Sequence, residues 1–229
     1  PMPLMIEHLQ QEYGVSVDFA TRDSHNTEAT LYDEKNQSLV LSKSLPQSSV
    51  NFHLALLCGH LNFPDLFQEL VNAPELPTDA ARQKGIAALA NYFAGALLLP
   101  YEQFFQSAED LRYDIELLQQ QFDASFEQIC HRLTTLMRPG KSGVPLHLIR
   151  SDIAGNISKR FSASGLRIPR YGNSCPRWVL HSAFLTPGRL CPQISEMPDG
   201  SRFFSIARTV TKPSLGYAQP KRHYAISIG

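Results

Sequence analysis

The stretch that most constrains the fold is SSVNFHLALLCGHLNF, residues 48–63. It has serines available to cap a helix, followed by a nearly unbroken apolar run. A helix that is apolar all round has to be buried, so the rest of the chain must build a core around this one. TDAARQKGIAALANYFAGALLLP (78–100) is a second strong helix, with Thr78 as its N-cap and Pro100 as its stop. Around this pair, LMIEHLQQEYG (4–14) reads as a short amphipathic helix stopped by Gly14. ATLYD (29–33) and SLVLS (38–42) read as neighbouring strands across the turn-like EKNQ. LRYDIELLQQQF (111–122) and SFEQICHRLTTLM (125–137) have the three-and-four apolar spacing of further helices. After residue 143 the pattern changes to strands, in VPLHLIR, CPQISEM, RFFSIARTV and HYAISIG, with Asp199-Gly200 as a hairpin signal between two of them. The expected class is α+β, a mainly helical part followed by a mainly β part.

Charge divides the chain at the same place. Residues 1–140 carry 8 Lys and Arg against 18 Asp and Glu, and residues 141–229 carry 13 against 3, although the formal net charge is zero. The break falls at MRPGKSGVP (137–145), which places a domain boundary between 1–140 and 141–229. Two accounts stay open: the halves attract each other, or the basic half faces a polyanion such as nucleic acid or a phosphorylated ligand. A chain of 229 residues that is 43% hydrophobic can bury a sizeable core. No apolar run approaches the roughly 18 residues of a membrane-spanning helix. Four scattered cysteines without a C-x-x-C pair point to a reducing, cytoplasmic setting. PGKSG (139–143) is not a phosphate-binding loop, because Thr135 stands where the first glycine belongs. The chain opens on Pro and closes inside a strand-like pattern, so neither end reads as a natural terminus.

His53 and His60 are seven residues apart, two turns along one helix face. Zinc chelation from a single helix asks for histidines one turn apart with a glutamate beside the first. Position 56, one turn before His60, is leucine, and so is position 57. On these residues alone, a histidine near a buried helix end is a hydrogen-bonded structural group.

LALLCGH (54–60) resembles the zinc helix of the ImmA/IrrE-like metallopeptidases, L-A-H-E-x-G-H, and LANYFAGALLLP (89–100) resembles their later helix, E-A-N-x-F-A-x-x-L-L-M-P. In this alignment the family's first histidine falls on Leu56, its catalytic glutamate on Leu57 and its third ligand on Leu89. Only His60 survives. IRSDIAGNISKRFSASG (149–165), NSCPRWVLHSAF (173–184), MPDGSRFFSIARTV (197–210) and KPSLGYAQPKRHYAISIG (212–229) resemble a subfamily, the short-chain fatty acyl-CoA-responsive transcriptional regulators of bacteria. There an N-terminal helix-turn-helix domain of the XRE type precedes a degenerate ImmA/IrrE-like domain and a further C-terminal domain.

The resemblance implies a zincin-like sensor domain that binds coenzyme A or a short acyl-CoA, holds no zinc and catalyses nothing. It implies DNA as a partner through a helix-turn-helix domain absent from these residues, and a dimer or higher oligomer. Coenzyme A asks for cations, an aromatic face and an apolar dead end. Leu56, Leu57, His60 and Leu89 are the candidates for the dead end, and Tyr92 and Phe93 for an aromatic wall. Lys43, Arg150, Lys159 and Arg160 are candidates for the phosphates. Part of the family carries an iron–sulfur cluster in its C-terminal domain, which makes Cys175 and Cys191 candidate ligands of a [4Fe–4S] cluster. Rival readings are a zinc peptidase with His53, His60 and an acid such as Asp65, an iron–sulfur redox sensor, and a structural oligomerisation module.

Overall fold

The computed structural model describes residues 2–21, 30–168, 175–212 and 222–229. The fold is α+β, with helices dominating the first part and a larger sheet the second. The chain divides into two compact units, 1–103 and 104–229.

The first unit contains α1 (Met2–Tyr13), β1 (Ser16–Ala20), β2 (Thr30–Asp33), β3 (Ser38–Ser42), α2 (Gln47–Asn62), α3 (Pro64–Val71) and α4 (Asp79–Leu98). α5 (Tyr101–Asp110) begins at its end and runs into the second unit. β2 and β3 form the expected antiparallel hairpin, and β1 adds in parallel on the other side of β3. As the central strand, β3 buries Leu39 and Leu41. α1 buries Met5 and Leu9, one turn apart, and Gly14 ends it in the left-handed conformation. These residues join Leu54, Ala55, Leu57 and Cys58 of α2 and Ala94 of α4 in one core.

Two expectations change here. No serine side chain caps α2, because Pro46 takes the N-cap position and Ser48 and Ser49 lie inside the helix. α2 is also not buried all round: Phe52, His53 and Leu56 are half-exposed and His60 is exposed. Its deep stripe is Val50, Asn51, Leu54, Ala55, Leu57, Cys58 and Gly59. Thr78 does cap α4, accepting a hydrogen bond from the Ala81 amide at 3.2 Å, and α4 stops before Pro100.

The second unit holds most of α5, then α6 (Ile115–Phe122), α7 (Phe126–Leu133), the short pair β4 (Met137–Arg138) and β5 (Lys141–Ser142), β6 (His147–Ser151), β7 (Ile157–Ser162), α8 (Val179–Ser182), a 3-10 turn (Ala183–Leu185), β8 (Cys191–Glu196), β9 (Arg202–Lys212) and β10 (Arg222–Ile228). Five strands make one antiparallel sheet in the order β7-β6-β10-β9-β8. The Asp199-Gly200 turn joins β8 to β9, with Gly200 at φ +82° and Asp199 accepting from the Ser201 amide.

Side chains alternate across this sheet. Ile149, Ala207 and Ala225 face α8 and the 3-10 turn, packing on Val179, Leu180 and Ala183. Residues next to these in sequence, including Arg150, Arg208 and Ile226, face the other way. They share a cross-strand row, from which Arg150 reaches Glu127 of α7 and Arg208 reaches Glu116 of α6. α7 is fixed by a capping box in which Ser125 and Gln128 each bond the other's backbone. The last long helix, α7, ends at Leu133 and the strands begin at Met137, whereas the compact units divide at 103/104. The earlier division arises because α6 and α7 bury themselves against the sheet that follows.

Candidate functional site

In the first unit, α2 and α4 pack side by side, and Leu56, Leu57, His60, Leu89, Tyr92 and Phe93 lie along them. Leu57 is in the core at 7% exposure, with Leu56 and Phe93 packed against the same cluster. Leu89 is half-buried and Tyr92 is exposed. The Phe93 ring lies 5.2 Å from Phe63 and directly over Gly59. A Cβ on residue 59 would stand 2.7 Å from Phe93 Cδ1, closer than packed atoms allow. Glycine at 59 is therefore required by the aromatic ring of the neighbouring helix. Gly59→Ala should lower stability by about 1 kcal/mol net, since overpacking costs roughly 1–3 kcal/mol and alanine returns up to about 1 kcal/mol of helix propensity. In a Phe93→Leu background the same substitution should be neutral or stabilising, and a double-mutant cycle in urea checks this.

His60 is exposed, with its ring edge-on to Phe67 at 6.2 Å, and His53 is half-buried. Partial burial lowers the pKa of both imidazoles. Asp65, the acid of the rival peptidase reading, is exposed at the start of α3. Among the described residues no group of three His, Cys, Asp or Glu side chains is placed to hold a metal ion. The three positions that the peptidase motif assigns to metal chemistry carry Leu56, Leu57 and Leu89, and a hydrocarbon neither ligates zinc nor activates water. These residues do not fit a zinc centre. Lys43 is exposed, in the turn after β3, where its amide bonds Ala20 O.

In the second unit, Arg150 of β6 and Lys159 of β7 are cross-strand partners on one face, and both reach Glu127 of α7. Arg150 Nη1 is 2.7 Å and Lys159 Nζ 2.8 Å from Glu127 Oε1, while Lys212 Nζ of β9 is 2.7 Å from Oε2. Arg150 also donates to Ser158 Oγ and lies 4.9 Å from the centre of the Tyr224 ring. The Glu127 side chain is only 7% exposed. Burial alone pushes its pKa up, but the charges and hydrogen bonds of Lys159 and Lys212 outweigh this and bring it down to about 2. Arg160 is exposed and shares the opposite face of the sheet with Ile149. Nearby, Arg208 pairs with Glu116 of α6 at 3.1 Å. Of the two accounts of the charge asymmetry, attraction between the acidic and basic segments is seen directly at Glu127 and Glu116.

Sequence reading missed Glu127 and Lys212. Two signals pointed to Glu127: it is an acid next to the apolar stripe of a well-capped helix, and the chain beyond it carries a large excess of cations.

Cys175 is exposed, and Cys191 at the start of β8 is half-buried with its sulfur 3.1 Å from Thr186 Oγ1. They supply two thiols, whereas a [4Fe–4S] cluster commonly takes four. The described residues do not complete such a site. Cys58 and Cys130 are buried, and burial raises the pKa of both thiols.

The α8 side of the sheet encloses a small cavity, lined in part by His147, Trp178, Gln193, Phe203 and Ser205. Its volume of about 20 Å³ leaves room for a water molecule. His147 is 1% exposed, with Nδ1 3.0 Å from Ser164 Oγ and Nε2 3.1 Å from Ser205 Oγ. Burial lowers its pKa to about 4.

A helix pair that carries leucine at 56, 57 and 89, where the metallopeptidase motif has its ligands and base, in a chain whose second unit is built on an antiparallel sheet, defines a class: a relative of the IrrE-like fold. Residues 10–134 match the IrrE N-terminal-like domain, and residues 135–229 match the C-terminal domain of the short-chain fatty acyl coenzyme A regulators. The chain belongs to this regulator family. It is 39% identical over 225 residues to the HTH-type transcriptional regulator PrpR of Mycobacterium tuberculosis, covering 98% of this chain and 46% of that protein. It is 43% identical over 195 residues to the propionyl-CoA carboxylase regulator of Cereibacter sphaeroides, covering 85% of this chain and 42% of that protein. A solved structure of a Mycobacterium tuberculosis transcriptional regulator matches with a TM-score of 0.89 at 39% identity, over 98% of this chain and 68% of that one. The chain thus spans less than half the length of the curated relatives it matches. Among the described residues no helix is long and apolar enough to cross a membrane.

Proposed function

We propose that this chain is the effector-sensing part of a bacterial transcription regulator. It binds coenzyme A or a short acyl-CoA of the acetyl or propionyl type, and occupancy adjusts DNA binding by a helix-turn-helix domain of the whole protein, which works as a dimer or larger assembly. Two relatives, an HTH-type transcriptional regulator and a propionyl-CoA carboxylase regulator, support the partner and the effector class. The observation that carries the reading is the set of leucines at 56, 57 and 89 in an otherwise retained helix pair. It replaces metal chemistry with an apolar surface, of which Leu56, Leu89 and Phe93 are still half-exposed. Such a surface suits a short acyl tail and offers nothing for hydrolysis. An effector acts on the DNA equilibrium only through its different affinity for two arrangements of the protein, so no reaction is needed.

Calorimetric titration of the 229-residue chain with CoA, acetyl-CoA and propionyl-CoA tests this. Saturable binding is expected, with a preference among the three. Leu89→Phe should weaken propionyl-CoA more than CoA by about 10-fold, since one methylene in an apolar pocket is worth roughly 1–3 kcal/mol. Absence of binding would overturn the effector class, and equal losses for CoA and propionyl-CoA would move the acyl tail away from α4.

A further inference from the structure

Glu127 collects more positive charge than it can neutralise. Arg150, Lys159 and Lys212 converge on it from three strands of one sheet face, so three cations share one carboxylate. Arg150 is largely committed: its Nε is bound by Ser158, its Nη1 by Glu127, and its guanidinium lies against Tyr224. The two lysines are not. Their side chains are 43% and 46% exposed, and each ammonium carries three donors of which Glu127 occupies one. His131, on the same helix as Glu127, reports the local balance. Its pKa is lowered first by burial and then by Lys159, an effect that the Glu127 charge does not cancel.

We infer that the Lys159–Lys212 pair above Glu127 is a phosphate-binding site for the terminal phosphate of a small molecule. Two ammonium groups held against the two oxygens of one carboxylate are close enough for one phosphate to touch both. The surplus of two positive charges matches a phosphomonoester, which carries about −1.5 to −2 near pH 7, better than it matches the single charge of a carboxylate or a phosphodiester. Glu127 then has two roles. It gathers the lysines before the ligand arrives, which spares the entropy of ordering them, and it competes with the ligand, which keeps binding reversible. The site does not rest on the acyl-CoA reading. Only the choice of CoA as a second probe does.

The test is a titration with inorganic phosphate in chloride buffer at constant ionic strength, followed by calorimetry or phosphorus NMR line width. Saturable binding is expected, weakened about 10-fold or more in Lys212→Met and in Lys159→Met and unchanged in Lys84→Met, an exposed lysine of α4. Glu127→Gln, where it folds, should bind phosphate several-fold more tightly because the competitor is gone. The lysine variants decide the matter if Glu127→Gln does not fold. A second arm compares CoA with dephospho-CoA. If the phosphate is carried by the effector, the wild-type chain prefers CoA and Lys212→Met loses that preference. If it is a free phosphate, inorganic phosphate binds and the two CoA forms do not differ. Either outcome supports the site. Binding no better than chloride, lysine variants that bind like wild type, or displacement of phosphate by duplex DNA at equal phosphate concentration would overturn it.

Discussion

Replacing Glu127 with alanine should cost the second unit about 3 kcal/mol at pH 7, in the range found when one partner of a buried ion pair is removed. The variant leaves Arg150, Lys159 and Lys212 facing one another without their shared anion. The half-exposed lysines can turn to water, so the low end of that range applies, whereas Arg150, at 18% side-chain exposure, has less freedom to do so. The same contacts fix an acid limb of stability. The folded pKa of Glu127, about 2, lies below its ordinary 4.5. The unfolded chain therefore takes up the proton first as pH falls. The stabilisation is complete above pH 4.5 and is lost between there and about pH 2. At 1.36 kcal/mol per unit this again amounts to about 3 kcal/mol. Denaturant unfolding at pH 7 and pH 3 checks both statements. A loss below about 1 kcal/mol at pH 7, or an alanine variant that keeps the full acid dependence, would show that the cluster contributes little to stability.

A second acid limb should appear at higher pH, with His147 as its main contributor. Its imidazole is buried neutral between Ser164 and Ser205, and its pKa falls from 6.5 to about 4 through burial. The unfolded chain binds the proton more readily here too. Stability is complete above pH 6.5 and declines by about 3 kcal/mol as pH falls through 6.5 to about 4, in the groups' intrinsic scale of 1.36 kcal/mol per unit. His147→Gln keeps a polar, uncharged group in the cavity and should reduce the slope in this window, to which His53, His60 and His131 also contribute, while Glu127→Ala flattens only the lower one. Unfolding free energies measured every half unit from pH 7.5 to 3 would separate the two. A glutamine variant with an unchanged slope between pH 6.5 and 4 would remove His147 from the account.

Elements with their own local chemistry were legible in the sequence. The β2–β3 hairpin, α1 with its Gly14 stop, α4 with its Thr78 cap and the Asp199-Gly200 turn each carry the residues that dictate them. Elements made by distant partners were not. β1 pairs in parallel with β3 and has no turn to announce it, and β7 lies in ISKRFS, whose exposure leaves little apolar alternation to read. α3 and α5 are short and follow directly on Phe63 and Pro100, so they merge with the longer helices before them. The candidate site divides in the same way. Leu56, Leu57 and Phe93 could be nominated because a local motif placed them on adjoining helices. Arg150 and Lys159 were nominated as phosphate contacts, but that they converge on Glu127 depends on strand register, and Lys212 joins them only across the β6–β10–β9 order.

The contact of Phe93 with Gly59 bears on how signatures of this kind outlast their chemistry. In an active metallopeptidase the glycine beside the ligating histidine is naturally read as part of the catalytic apparatus. In this chain the metal positions are hydrocarbon, yet residue 59 still has no room for a methyl group. The constraints therefore differ along a single helical turn: 56 and 57 carry hydrocarbon where the motif has metal chemistry, while 59 is held by its neighbour's shape. In a motif of this kind the glycine reports the packing of two helices, and only the ligand positions report the chemistry.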